Sequence, residues 1–417
     1  MKISSSKQTL MKNTVMLYIL QFSSYFLGFL TTPYQTRILG TAVYGKIGFA
    51  LSIMVFFQLF LDFGFMLSAT AKISKNRDDT YFVSKLLYSV TIIKIVFILF
   101  SFIVLTILCL SVKSLKEDFL LYFLYFIGVA INSLMPDFLY RGLEKMSAIT
   151  VRTVIIKLIF TALIFVFLRK PDDFMVIPVL TLFGNSISLI ATYIHMKAKI
   201  KIWFLKASIL EIMLEVKNSS SFFLSRIAST LYSSINIVLL GFIDPSKKSA
   251  GYYTPADKMV SIMGNGLSPI SDSIYPYMIK HKDFKLIKKM LFITMPIIIT
   301  CAIIGFVFAD PICLLFFGKG FEPAANVLRA LIPTMIVILP NYMLGFPTLS
   351  AVGLQKHANY SIYAGSLFSV AALLILVFTG NVNIISLGIV RSFAETIILS
   401  YRIFIIFKNR NLFKTNN

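Results

Sequence analysis

The chain has 417 residues, of which 57% are hydrophobic, and a formal net charge of +22 from 40 Lys+Arg against 18 Asp+Glu. The cations are not dispersed but crowd into short connectors between long apolar runs, and the connectors alternate between cation-rich and cation-poor. That pattern excludes a water-soluble globule and predicts a polytopic membrane protein, oriented by the excess of Lys and Arg in its cytoplasmic loops.

A helix needs about 20 apolar residues to cross the hydrocarbon core. Twelve runs of that kind follow one another: roughly 11–38, 44–71, 81–112, 119–140, 149–168 and 174–196, then 219–243, 252–279, 286–308, 327–352, 360–379 and 384–407. With the N-terminus inside, the inside connectors hold 21 cations and the outside ones 7. This split puts both termini in the cytoplasm. The basic start MKISSSKQTLMKNT precedes a long apolar run without a small-residue cleavage site, so it reads as a retained first span. The basic loops are accounted for by topology and anionic headgroups, which leaves no case for a nucleic-acid partner. Cys109, Cys301 and Cys313 are odd in number and lie in or beside apolar runs, an arrangement suited to neither disulfides nor a metal site. The one tryptophan, Trp203, stands among lysines after the sixth run, as an interfacial anchor would.

The longest connector, 197–218, divides the chain into two sets of six runs. The expected organisation is an N-terminal lobe over 1–205, an interfacial linker over 206–218 and a C-terminal lobe over 219–417. Within the linker Ile209, Ile212, Met213 and Val216 recur at helical spacing, which favours a short helix lying in the cytoplasmic interface over a plain polar linker. Six is an even number, so the second set enters the membrane as the first does, as in transporters built from parallel repeats. LGTAVYG after the first run has a weak echo in KKSAGYY after the seventh. Pro296, Pro333, Pro340 and Pro347 fall in or near late spans, where they bend helices either for packing or for motion.

Twelve cations remain within or at the ends of the runs. Lys85, Lys217, Arg329 and Arg402 lie near ends and can snorkel to the headgroups. Lys94, Lys157, Arg226, Lys258 and Arg391 lie deeper. Insertion of Lys or Arg at a helix centre costs about 2.5–3.5 kcal/mol, so five facing lipid would cost upwards of roughly 12 kcal/mol. They are therefore expected to face protein or a watery cavity collecting residues from both halves. Deep acids are Asp62, Asp137, Asp257, Asp272 and Glu395. Arg391 and Glu395 stand at i, i+4 and can neutralise each other as a structural pair. Lys258 adjoins Asp257, but neighbours on a helix point about 100° apart, so that pair is awkward. A cation-lined cavity in an apolar protein implies an anionic cargo, with phosphate the first candidate and a lipid tail suited to the apolar surroundings.

The stretch ILGTAVYGKIGFALSIMVFFQLFLDFGF resembles the first-to-second span region of bacterial polysaccharide flippases. SFFLSRIASTLYSSINIVLLGF followed by AGYYTPADKMV resembles their seventh and eighth spans, and LLFFGKGFEPAANVLRALIP the entry to their tenth. The chain thus looks like a Wzx-type O-antigen or capsule repeat-unit flippase of the multidrug/oligosaccharidyl-lipid/polysaccharide exporter superfamily. The resemblance implies an all-α protein with twelve transmembrane helices in two six-helix lobes forming a V, as in the multidrug exporters, and alternating access through a cationic cavity. It implies a bacterial inner-membrane location, and an undecaprenyl-diphosphate-linked glycan carried from the cytoplasmic to the periplasmic leaflet. The polymerase and chain-length machinery of the same pathway become partners, together with membrane lipids. Arg226 falls in the matching motif FFLSR, Lys258 in YYTPADK and Asp62 in DFGF. Lipid II flippases of that superfamily carry cations in the first span, where this chain has only Gln21 and the terminal Arg37, a departure that favours the O-antigen branch.

The expected site is accordingly Arg226, Lys258, Arg391, Lys94 and Lys157 on the cargo, with Asp62, Glu395 and Asp257 available for H⁺ or Na⁺ coupling. No metal or other cofactor and no catalytic residue is expected. Two other readings compete. A drug or cation antiporter of the same fold would use acids to bind cations, whereas the deep cations here at least match the deep acids. A membrane glycosyltransferase or repeat-unit polymerase would carry an acidic catalyst in its first external loop, and 39–44 contains none.

Overall fold

The computed structural model describes the backbone of residues 2–413. It describes the side chains of 11–413 other than those at 221, 224, 225, 228, 229, 231–233, 269, 272 and 276. Every regular element among the described residues is helical. The first, α1 (Lys2–Asp62), is 61 residues long but is broken at Gly40, whose φ of 66° and ψ of 177° leave the helical region. Nothing lies within 4 Å of a side chain placed there, so it is the left-handed φ that requires glycine. A second turn at Phe63 and Gly64, both with positive φ, leads into α2 (Phe65–Lys75).

The chain continues through α3 (Thr80–Ser111), the single turn α4 (Lys113–Lys116), α5 (Phe119–Ser133), α6 (Asp137–Gly142), α7 (Met146–Phe167) and α8 (Val176–His195). Asp79 caps α3 by accepting from Phe82 N at 2.9 Å. Pro136, which has no N–H to give, lies in the break between α5 and α6. Then come α9 (Ile209–Ile243), α10 (Lys248–His281), α11 (Phe284–Val307), α12 (Ala309–Phe317), α13 (Ala324–Leu344), α14 (Phe346–Ala351), α15 (Gln355–Phe378) and α16 (Ile384–Lys408). The helix suggested for the linker is present, and it runs without a break into the seventh apolar run: α9 is 35 residues, or about 52 Å, long.

Eight helices among the described residues are long and apolar enough to cross a membrane. The twelve runs read from the sequence contract to eight in two steps. Met11–Lys75 is one 65-residue stretch, and α9, α10 and α16 are not among the eight counted over the described residues. The eight keep large hydrophobics on their outer surfaces. On α11, Phe292 is 81% exposed, and Ile293, Ile297, Ile303 and Phe306 are each more than half exposed. Contiguous apolar surface on this scale is stable in lipid and not in water, which makes the chain a multi-pass membrane protein.

The chain folds as two compact units, one of Met1–Thr31 with Ala50–Ile227 and the other of Thr32–Phe49 with Ala228–Asn417. In the first unit, Phe65, Ile73, Leu87, Val90 and Phe138 form a buried core of α2, α3 and α6, joined by Met196 and Ile202. In the second, Met278 of α10, Ile287 of α11 and Leu339 and Met343 of α13 pack together. A smaller cluster joins Leu349, Ala358 and Ile405.

Candidate functional site

Two of the five deep cations expected to meet cargo are held by partners in their own unit. Lys94 is buried in α3, where its ammonium donates to the carbonyl of Ser133 and stands 4.0 Å from Asp62 Oδ1. The ring of Phe138 lies 5.9 Å from the same nitrogen. Arg391 does not pair with Glu395 as its i, i+4 spacing suggested. Its guanidinium forms an ion pair with Asp257 of α10 and donates to Ser261 Oγ at 3.3 Å. Glu395 is instead engaged by Asn341 of α13, so the carboxylate that meets the buried Arg391 is the one α10 brings. Two of the acids considered for ion coupling, Asp62 and Asp257, are thus counter-ions of Lys94 and Arg391. The third, Glu395, accepts from Asn341 Nδ2 at 2.9 Å. Asp272 lies outside the described residues.

Lys157 and Lys258 differ from these. Lys157 donates to Ser24 Oγ at 2.9 Å and has no carboxylate in ion-pair reach among the described residues. Lys258 is half-buried on α10, and among the described residues it has neither a hydrogen-bond acceptor nor a carboxylate partner. Arg226 is exposed on α9.

The first unit contains a cavity of about 410 Å³. One face of α7 lines it, from Ile149 through Arg152, Ile156, Lys157 and Phe160 to Ile164, at the three- and four-residue spacing of a helical stripe. Ser24 of α1, Asn132 of α5, Asp137 of α6 and Thr181, Asn185 and Ser188 of α8 complete it. Arg152 is fixed on one side of this space. Its Nη2 donates to Asp137 Oδ1 at 3.0 Å and its Nη1 to Thr192 Oγ1 at 2.5 Å, while its Nε is buried without an acceptor.

The second unit contains a cavity of about 540 Å³ lined by Ser268, Ser271, Tyr275, Asn341, Glu395 and Arg402, among others. The sequence placed Arg402 at a helix end, free to reach the headgroups. It is instead 6% exposed, donating to the carbonyl of Asn341 and, through Nε, to Ser361 Oγ at 2.9 Å. α16 continues to Lys408, so Arg402 lies more than a turn inside it. A signal was present: Glu395 and Arg402 are seven residues apart, hence on one face of the helix. Arg152 was likewise passed over, although Asp137, its partner, stood among the deep acids.

At the cytoplasmic side expected from the charge pattern, α9 is tied down by two ion pairs. Lys72 meets Glu215 at 2.7 Å and Lys85 meets Glu211 at 3.0 Å. The amide of Ser208 and then the ammonium of Lys85 hold the Glu211 carboxyl down at about 2. Trp203, half-exposed, has Lys197 Nζ 5.4 Å from its ring, as an interfacial anchor would.

Residues 10–282 match the family described as polysaccharide biosynthesis protein. The chain belongs to that family. It is 26% identical over 378 residues to a "Putative O-antigen transporter" of Escherichia coli (strain K12), covering 88% of this chain and 90% of that one. A protein of the same description from Shigella dysenteriae is 28% identical over 347 residues, covering 80% and 85%. Among solved structures, the lipid II flippase MurJ in an inward closed conformation superposes with a TM-score of 0.71 at 15% identity, over 96% of this chain and 89% of that one. A multidrug exporter of the MATE family, inward-facing, gives 0.66 at 13% identity, over 94% and 100%. These last two establish the fold, and the resemblance to polysaccharide flippases read from the sequence is borne out at the level of the family.

Proposed function

We propose that the protein is a flippase for undecaprenyl-diphosphate-linked oligosaccharide repeat units in the bacterial inner membrane. It carries them from the cytoplasmic to the periplasmic leaflet for O-antigen or capsule assembly. The reading rests on the family match over 10–282, supported by two relatives described as O-antigen transporters over four-fifths or more of the chain. In this reading the chain crosses the membrane twelve times, in two six-helix lobes with both termini in the cytoplasm. Met11–Lys75 makes two passes around Gly40, and α9, α10 and α16 are each long enough to span.

Cargo is held by cations that the protein does not itself neutralise. Lys157 and Lys258 lack a carboxylate partner among the described residues and therefore offer the anionic groups of the cargo unspent charge. Lys94 and Arg391 arrive with Asp62 and Asp257 and serve mainly to hold the helices together. Arg226, in the motif FFLSR that resembles the flippases, is exposed on α9 and is the third cation assigned to cargo. Alternating exposure of the site to the two leaflets moves the cargo, and no bond is made or broken, so the protein acts as a transporter. Uptake or release of H⁺ or Na⁺ at Asp62, Asp257 or Glu395 would supply the driving force, and a carboxylate that changes partner during the cycle is suited to that.

The test is deletion of the gene in its native host with extraction of lipid-linked glycans. Complete prenyl-diphosphate repeat units held on the cytoplasmic side, with surface glycan lost, is the expected result. Normal surface glycan together with new sensitivity to cationic drugs would instead support an antiporter of the same fold.

A further inference from the structure

The cavity of the first unit has a chemistry of its own. Its charged lining residues are Arg152, Lys157 and Asp137, a net charge of one positive. That balance suits a monoanion better than a diphosphate, whose two or three negative charges would face Asp137 as well. Hydrogen-bond donors there are left over. Arg152 Nε is buried and has no acceptor, although the side chain is held rigidly by Asp137 and Thr192. Lys157 uses one hydrogen on Ser24, and an ammonium has three to give. Around these cations stand uncharged hydroxyl and amide groups, including Thr153, Thr161, Thr181, Asn185 and Ser188. Such groups both donate to and accept from the hydroxyls of a sugar. Its volume, about 410 Å³, falls in the range of roughly 300–1,000 Å³ typical of small-molecule sites.

We infer that this cavity binds one acidic sugar of the glycan, with the carboxylate on Lys157 and Arg152 Nε and the ring hydroxyls on the Ser, Thr and Asn side chains. The inference rests on the flippase reading for the identity of the glycan, but the site is defined by its own geometry. It makes the first unit a selectivity filter for cargo that carries a uronic acid, separate from whatever residues take the diphosphate. Because Asp137 already neutralises Arg152, Lys157 supplies the decisive charge.

The experiment is binding of three probes to the purified full-length protein in detergent: methyl β-D-glucuronide, methyl β-D-glucoside and inorganic pyrophosphate. The expected result is at least tenfold tighter binding of the glucuronide than of the glucoside, with pyrophosphate weaker than the glucuronide. Lys157→Gln should remove that preference and Lys157→Arg should keep it, while Thr181→Val should weaken both sugars alike. Equal binding of the two glycosides overturns the inference, as does absence of glucuronide binding. Pyrophosphate binding as well as the glucuronide, in a manner abolished by Lys157→Gln, also overturns it and makes the cavity a diphosphate site. Should Lys157→Gln fold poorly, the order of the three probes on the wild-type protein decides the matter alone. The readout is binding rather than export, so it is independent of the deletion experiment: a wild-type surface glycan in the deletion strain would remove the flippase reading without touching the binding result.

Discussion

The guanidinium of Arg391 on α16 is paired with the carboxylate of Asp257 on α10, while Glu395, one turn along from Arg391, is bonded to Asn341 of α13. Removing one member of a buried pair leaves the other uncompensated, at a cost of about 3–5 kcal/mol. Asp257→Asn and Arg391→Gln should each lower the thermal stability of the detergent-purified protein. Asp257→Leu combined with Arg391→Met should cost less than either single change. A double variant as damaged as the sum of the single ones would show that the two residues act independently.

Lys157 and Lys258 should behave in the opposite way. With no carboxylate left behind, Lys157→Gln and Lys258→Gln should preserve the folded yield. Both should lower surface glycan by roughly tenfold or more, the scale of one lost charge-assisted contact of about 1.5–3 kcal/mol. Lys94→Gln should reduce the amount of folded protein, because it strips Asp62 of its cation. Quantifying membrane-inserted protein beside surface polysaccharide separates the two classes.

Gly64 is constrained twice over. Its φ is 79°, and a β-carbon there would approach Phe222 Cβ to 2.7 Å and the carbonyl of Ser219 to 3.0 Å. The left-handed backbone alone costs a residue with a side chain about 1–2 kcal/mol. Gly64→Val should therefore lower the thermal midpoint clearly more than Gly266→Val, a position where nothing lies within 4 Å.

Acid should loosen the attachment of α9 late. Glu211 ordinarily titrates at 4.5 and is held at about 2 by the Ser208 amide and Lys85. A depressed carboxylate contributes its stabilisation fully above the ordinary value and loses it as the pH falls toward the folded one. The Lys85–Glu211 pair should therefore weaken between pH 4.5 and about 2, and Lys85→Ala should move the Glu211 midpoint upward. Carboxyl carbon shifts of selectively labelled glutamate would follow both.

Much of the architecture was legible because lipid imposes strong rules. Apolar runs had to become helices, and cations had to gather in connectors, so the helical class, the order of elements and the family resemblance could all be read from the residues. What failed were pairings made across large sequence separations. The i, i+4 rule offered Glu395 to Arg391, and nothing in the sequence announces Asp257, 134 residues away on α10. Arg402 was taken for a snorkelling residue because it lies near the end of the last apolar run, whereas the packing of α16 sets it against Asn341 and Ser361. The space around Arg152 and Lys157 was invisible for a similar reason. Ser24, Asn132 and Asn185 come from three different helices, and only packing brings them to α7.

The Arg391–Asp257 pair also sets a timetable for making the protein. Asp137 waits only 15 residues for Arg152, and Asp62 waits 32 for Lys94, so those charges meet while the ribosome is still close by. Asp257 must wait for 134 residues, which at about 5–20 residues per second is roughly 7–27 s. Until then Asp257 lacks the cation it has in the finished fold, and the last long helix to be synthesised is the one that supplies it. The charge pair of the second unit is therefore the last of the three to close, and it closes only once α16 has been made.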